Sequence, residues 1–193
     1  MASGRVCTGF SFPFVAVYSA SGTTVTYSGG MELARGVEVN FDVSAADDNK
    51  FYANNTTAES ESGKFSSGSV TLTVDGLKNA ARNLIYGITQ ASSTDYVDFD
   101  DDLVIPYVGF GCVIRWQSDG VTTYEPMVLP KIRFAMANTT AKTQEENIEW
   151  QTQELTASIE RDDTAKHKWK REYNEESSEA DAVAVLKTFL SIT

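Results

Sequence analysis

The chain has 193 residues, the length of one ordinary domain, and 41% of them are hydrophobic, enough to fill a core. Charged residues make up 22%, which does not describe a disordered chain. Lys and Arg number 16 against 27 Asp and Glu, a net charge of -11, so the bulk surface repels nucleic-acid phosphates.

In chain order, the N-terminus MASGRVCTGFSFPFVAV carries one Arg and no apolar core ahead of a small-residue cleavage site, so no secretory signal is expected. A first strand is expected over 12–18. Val37, Val39, Phe41 and Val43 then alternate with Glu38, Asn40 and Asp42, a period of two that marks a strand. Residues 45–68, AADDNKFYANNTTAESESGKFSSG, are rich in Asn, Ser, Thr, Gly and acids. They join two well-patterned strands, so they read as a long hairpin tip or flap reaching beyond the domain. Val70, Leu72 and Val74 alternate with Thr71, Thr73 and Asp75 in the returning strand.

A helix is expected over 77–86: Leu77, Ala80, Ala81 and Leu84 make one apolar stripe, and Gly87 closes it. Val108, Phe110, Cys112, Ile114 and Trp116 share one strand parity, although Gly109 and Gly111 oppose the first of them. Ser118-Asp119-Gly120 is a hairpin turn signal. It leads into strand candidates at 121–129 and 131–136. Ile148 and Trp150 alternate with Glu149, Gln151 and Gln153, and the apolar parity then flips to Leu155, Ala157 and Ile159. A β-bulge over 152–154 would explain the flip. A second helix is expected over 180–190, with Ser178 as N-cap and Val183, Leu186, Phe189 and Leu190 as its buried face. No stretch of ~18 apolar residues marks a membrane span.

Catalytic chemistry finds little to build on, and no catalytic, metal or cofactor-binding residue is assigned. The single histidine, His167, has no G-x-S-x-G sequence to go with it. Cys7 and Cys112 with His167 give three soft ligands, fewer than the four or so of a structural zinc site. Both cysteines read as reduced core thiols. Neither a Walker loop nor G-x-G-x-x-G occurs. Asp95, Asp98, Asp100, Asp101 and Asp102 form an acid cluster without EF-hand spacing and read as a solvated loop. The basic run Lys166 to Arg171, with Trp169 inside it, has the residue types of a nucleic-acid contact. The run Glu172, Glu175, Glu176, Glu179 follows at once, so a structural strand or edge paired with those acids is the preferred reading.

Several segments, in order, resemble the major tail protein, or tail-tube protein, of bacteriophages with long non-contractile tails. Leu33-Ala34-Arg35-Gly36-Val37-Glu38-Val39-Asn40-Phe41 is similar to that family's first tube strand, and Phe51-Tyr52-Ala53-Asn54-Asn55 to its flap. Gly68-Ser69-Val70-Thr71-Leu72-Thr73-Val74 with the helix from Leu77 resembles its returning strand and buttress helix. Pro106-Tyr107-Val108-Gly109-Phe110-Gly111 resembles its aromatic-glycine strand start. Lys131-Ile132-Arg133-Phe134, followed by the segment from Lys142 to Leu155, is the most specific piece. The likeness spans 30–160. Some family members append an immunoglobulin-like domain, where this chain has only a short helix.

The resemblance implies a mainly β fold, sandwich-like or barrel-like, as a single domain over 1–193. It has one flanking helix, an N-terminal arm over about 1–11, an inter-ring flap over about 45–68 and a C-terminal helical arm over about 178–193. It implies a structural virion protein, not an enzyme, that needs no cofactor. Hexameric rings stack into a tube through which DNA passes without specific binding. A tape measure protein occupies the lumen during assembly, and tail terminator and tail-tip proteins cap the ends. The expected place is the virion tail, with assembly in the host bacterial cytoplasm. The polar strand parities then name Glu38, Asn40, Asp42, Thr71, Thr73, Asp75, Glu149, Gln151 and Gln153 as lumen residues. Asp48, Phe51, Tyr52, Asn54 and Phe65 are the expected inter-ring contacts. Two alternatives stand beside this reading: an inner tube of a contractile tail or tail-like bacteriocin, and a carbohydrate-binding β-sandwich.

Overall fold

A computed structural model of the chain describes residues 4–53, 55–61, 63–89, 96–143 and 150–193. These fold into strands β1 (Val6–Ser21), β2 (Thr24–Glu32), β3 (Gly36–Ala45), β4 (Asn49–Ala53), β5 (Thr56–Glu61), β6 (Phe65–Val74), β7 (Val108–Ser118), β8 (Val121–Phe134), β9 (Gln153–Ile159) and β10 (Arg171–Glu172). Two helices join them, α1 (Asn79–Tyr86) and α2 (Glu179–Phe189). The fold is mainly β, as expected.

One antiparallel sheet runs in the order β2-β1-β7-β8-β9-β6-β3, and β10 pairs with the middle of β8. The hairpin β4-β5 is a separate two-stranded sheet. The β7-β8 hairpin turns at Asp119 (φ 49°) and Gly120 (φ 81°), with Ser118 opposite Val121. Both central residues of a type I′ turn need positive φ, which Asp-Gly accepts at little cost.

The large sheet curls on itself. Val70, Leu72 and Val74 of β6 and Leu155, Ala157 and Ile159 of β9 share one core with Phe110 and Cys112 of β7 and Leu129, Ile132 and Phe134 of β8. Helix α1 contributes Ala81, Ile85 and Tyr86 to this core. It ends at Gly87 (φ 69°), whose N–H bonds back to the Asn83 and Leu84 carbonyls, the αL stop that glycine favours.

A second core lies on the other face of the same strands. Ala182 and Leu186 of α2 and Leu190, which caps it, pack on Phe14, Ala16, Val113 and Val128. Strands β1, β7 and β8 are therefore covered on both sides, which is why 108–113 is buried without a break. Gly109 and Gly111 face the helix. A Cβ on Gly111 would lie 3.0 Å from a Leu186 methyl, so the glycines interrupt the apolar parity to let α2 approach. Each fully buried leucine of α2 is worth about 1.5–3 kcal/mol over an exposed one.

Four expectations need correction. The segment 1–11 is not an arm along its length, because β1 begins at Val6 and pairs with β7 from Val6↔Gln117 onward. The C-terminal helix is not an arm either, since its apolar stripe is spent on its own sheet. The candidates 121–129 and 131–136 are one strand, β8. Pro130 sits at a register shift between Val108 and Phe110, where its missing N–H breaks no regular ladder. Finally, β2 was not anticipated. Its sequence TVTYSGGME has few apolar residues, and Gly29 adopts φ 62° within it.

Candidate functional site

Strands β3, β6 and β9 carry one polar face. Register builds it in rows: Glu38 opposite Thr73 and Thr73 opposite Glu154; Asn40, Thr71 and Thr156; Asp42, Ser69 and Ser158. Paired residues in an antiparallel ladder share a side. The other parity of β6 and β9 lies in the core, so the sheet is apolar within and polar without. The third row continues to Arg133 on β8, opposite Ser158. Asn40 donates to Asp42 across 3.0 Å, which spaces the edge residues along β3. Asp75, exposed at the end of β6, is clamped by Arg35, Nε to Oδ2 at 2.5 Å. The Arg35 guanidinium holds the Asp75 carboxyl below its usual range.

Five of the nine expected lumen residues, Glu38, Asn40, Asp42, Thr71 and Thr73, share this face. Asp75 lies at its rim. Gln151 is exposed just before β9, and Glu149 lies outside the described residues. Gln153 is a correction: it pairs with buried Val74, and its side chain accepts from the Leu77 N–H at 3.3 Å. It therefore takes the inner parity. The ladder between β6 and β9 has no bulge; the strand starts at Gln153, and Trp150, 88% exposed, precedes it. Residues 150–152 precede the strand without joining it, so the outward residues of β9 are Glu154, Thr156 and Ser158. Their alternation with Leu155, Ala157 and Ile159 was the readable signal.

The flap is a hairpin of its own. Asp48 fixes its base by accepting from the Gly63 N–H at 3.0 Å. Phe51 is 63% exposed and stands opposite Glu59 in register. Tyr52 lies in β4 opposite Thr57. Asn54 lies outside the described residues. Phe65 is a correction as an inter-ring contact: it stacks on Trp169 with ring centroids 4.7 Å apart and 9° between planes. It anchors the flap root within the chain.

The basic run is structural. Trp169 packs against the main core through Phe65, and Lys170 pairs with Glu172 at 2.5 Å. Buried Asp162 organises the preceding loop, accepting from Lys168 N at 2.7 Å and from the Thr164 hydroxyl at 2.6 Å. His167 is exposed, with φ 48°. Asp163 accepts from Tyr18 and from Lys131, each at 2.7 Å, and Lys131 holds its carboxyl below the usual range. Burial, and then Asp163, push the Tyr18 phenol up to about 12.

Cys7 is exposed, against expectation, and Cys112 is buried; both are free. Burial pushes the Cys112 thiol up, the wrong direction for a nucleophile. Asp98, Asp100, Asp101 and Asp102 are exposed, and Asp95 lies outside the described residues. Among the described residues no group of three or more His, Cys, Asp or Glu could hold a metal ion. No described helix is long and apolar enough to cross a membrane. No protein-family model matches the chain, and no curated protein matches it.

Proposed function

We propose that the chain is a tail-tube protein of a bacteriophage with a long non-contractile tail, a structural protein whose copies close into rings and stack around a channel for DNA. The observation that carries this reading is the face of hydroxyls and carboxylates on β3, β6 and β9, set beside an unpaired edge strand. β3 ends the order of its sheet, with ten residues of backbone. Such an edge invites pairing with another chain, and ring closure between copies removes it.

The strand count supports a channel of the right size. Strands β3, β6 and β9 with the end of β8 give four per copy. Six copies would form a barrel of about 24 strands, and at ~4.8 Å per strand and a tilt near 40° its backbone circle is roughly 45–50 Å across. A duplex passes through such a circle. Acids and small hydroxyls offer phosphates no lasting grip, the reverse of a Lys/Arg-rich surface. Arg133 at the end of one row is the exception, and its guanidinium lies over the Tyr107 ring at 5.2 Å.

In this reading the protein resides in the virion tail, takes no cofactor and has no catalytic activity. Its partners are its own copies, a tape measure protein in the lumen, and terminator and tip proteins at the ends. Electron microscopy of the purified protein is the test. Hollow filaments of constant width are expected at high concentration; a sample that sediments only as monomer at every concentration overturns the reading.

A further inference from the structure

The curled sheet has an open seam. Strand β3 ends its order, and β2 covers β1 only from Phe14 onward, so residues 6–11 of β1 form a second free edge among the described residues. No ladder joins β3 to β1 there. The two strands meet at Gly36, where a Cβ would lie 2.2 Å from the Phe10 ring, and part beyond it around a groove of about 580 Å³. Phe10, Val39, Phe41, Ile114 and Met127 line the groove, continuous with the main core. Val37, 57% exposed, and the exposed Cys7 line it as well.

The lining suits an aromatic side chain. Phe10, Phe41 and Trp116 supply rings, and the Arg5 guanidinium lies over Trp116 at 4.1 Å. Buried Glu125 fixes that arrangement, accepting from the Trp116 indole at 2.5 Å and pairing with Arg5 at 3.1 Å. The Arg5 side chain stays 39% exposed. A guanidinium stacked on one ring can take a second ring on its other face.

The same chain carries a matching knob. Trp150 is 88% exposed, more than any other large hydrophobic side chain among the described residues. An indole brings about 150–250 Å² of surface that gains from burial. Trp150 precedes β9, and β6 stands between β9 and β3, so knob and groove lie on opposite flanks of the polar face. We propose that Trp150 of one copy fills the seam groove of its neighbour in the ring, stacking on Arg5 and packing on Phe41 and Met127. The neighbour is the occupant because the groove is continuous with the free β3 edge, which ring closure covers. Two unlike patches on opposite flanks make a head-to-tail contact, the kind that closes a ring. The proposal rests on the tube reading and adds a side-chain anchor to the backbone pairing at β3.

The test uses the full chain and its own reporter. Cys7 is an exposed free thiol in the groove, and Cys112 is buried. Cys7 is expected to react with a maleimide in the monomer and to lose that reaction in rings. Thr152→Cys keeps Trp150 and sets a second thiol near it, at an exposed position. A short bismaleimide should then join copies in series and give a ladder beyond dimer on a denaturing gel. Such a ladder needs both thiols, so Thr152→Cys combined with Cys7→Ser should stop at dimer. Trp150→Ala should raise the concentration needed for rings at least about tenfold, and Trp150→Phe should recover part of the loss. Rings of the unsubstituted protein whose Cys7 reacts as in the monomer overturn the proposal. So do Trp150→Ala rings at the unsubstituted concentration, and a Thr152→Cys ladder that ends at dimer. Absence of rings from the unsubstituted protein at every concentration overturns the tube reading itself, and this contact with it.

Discussion

Leu190 lies directly over Gly109: a Cβ added to that glycine would sit 2.9 Å from a Leu190 methyl and 2.4 Å from the Tyr27 ring. The close approach lets α2 cover the outer face of β7, and the Tyr27 ring also meets Phe189 at 5.1 Å. Gly109→Val should therefore lift the helix, costing about 3 kcal/mol and lowering Tm by roughly 6–12 °C. Gly4→Ala, with nothing within 4 Å of the added methyl, is the matched control. A thermal melt in which both variants behave alike would remove the helix from the account of stability.

Gly109 and Gly111 show where the sequence was readable and where it was not. Strand alternation in 37–43 and 70–75, the Asp119-Gly120 turn and the Ser178 cap are local signals, and each appears where local physics puts it. Gly109 and Gly111 looked like defects in a strand because their reason is a helix about 75 residues later in the chain. The parity of β9 failed for a related cause. Alternation in 148–153 is as regular as in 153–159, and only the partner strand β6 decides which stretch enters the sheet. Phe65 was expected as an inter-ring contact because its stacking partner, Trp169, lies about a hundred residues further along the chain. Of the polar face, the β3 and β6 rows were legible and the β9 row was shifted.

Charge on that face is the next measurable property. Glu38 and Asp42 are exposed on edge strand β3, away from the core. Converting both to Lys changes the face by four charges without touching a packed side chain. Filaments should still form, because surface substitutions of this kind move stability by about 0.5 kcal/mol or less. Genome ejection from particles carrying the change should slow, and the slowing should weaken as salt rises. Ejection at the unsubstituted rate would take these residues out of the channel.

Stability should fall at both ends of the pH scale, for separable reasons. Asp75, Asp163 and Glu175 have carboxyls held below their usual values, by Arg35, by Lys131, and by Thr123 with Arg5 respectively. A depressed folded pKa means the stabilisation is complete above the unfolded value near ~4 and is lost as pH falls through the folded value. The Tyr18 phenol moves the other way, up to about 12. Its contribution is complete below the unfolded value near ~10 and is lost as pH rises through the folded one. Denaturant titrations across pH should show Tyr18→Phe flattening the alkaline limb, with a smaller effect on the acid limb through the lost bond to Asp163, and Lys131→Met flattening the acid limb. A Tyr18→Phe profile that still declines above ~10 as steeply as the parent would assign that decline elsewhere.

Trp169 ties the C-terminal third of the chain to the flap root. Its ring stacks on Phe65, and the Arg161 guanidinium lies over the same Phe65 ring at 5.6 Å while bonding the Phe65 carbonyl. Trp169→Ala removes a half-buried aromatic from the edge of the main core and should cost about 2 kcal/mol, less than a fully buried Trp. Hydrogen exchange should then quicken at 64–68 before it changes in the β7-β8 hairpin. Uniform acceleration throughout the sheet would mean that the stack holds the whole domain and not the root of the hairpin.

The hairpin can be removed by a cut that respects its register. Asn49 stands opposite Glu61, so replacing residues 50–60 by Asn-Gly leaves a two-residue connection across a paired position. β4 and β5 bond only to each other in the sheet topology, so the main core keeps its full set of strands. Tm should stay within about 2 °C of the parent, because exposed loops contribute little to global stability. Filament formation should be lost at every concentration, because Phe51 and the backbone reach of the hairpin go with it. Persistent filaments from this shortened chain, checked by electron microscopy against its own melt, would assign ring stacking to other surfaces and leave the flap without a role in assembly.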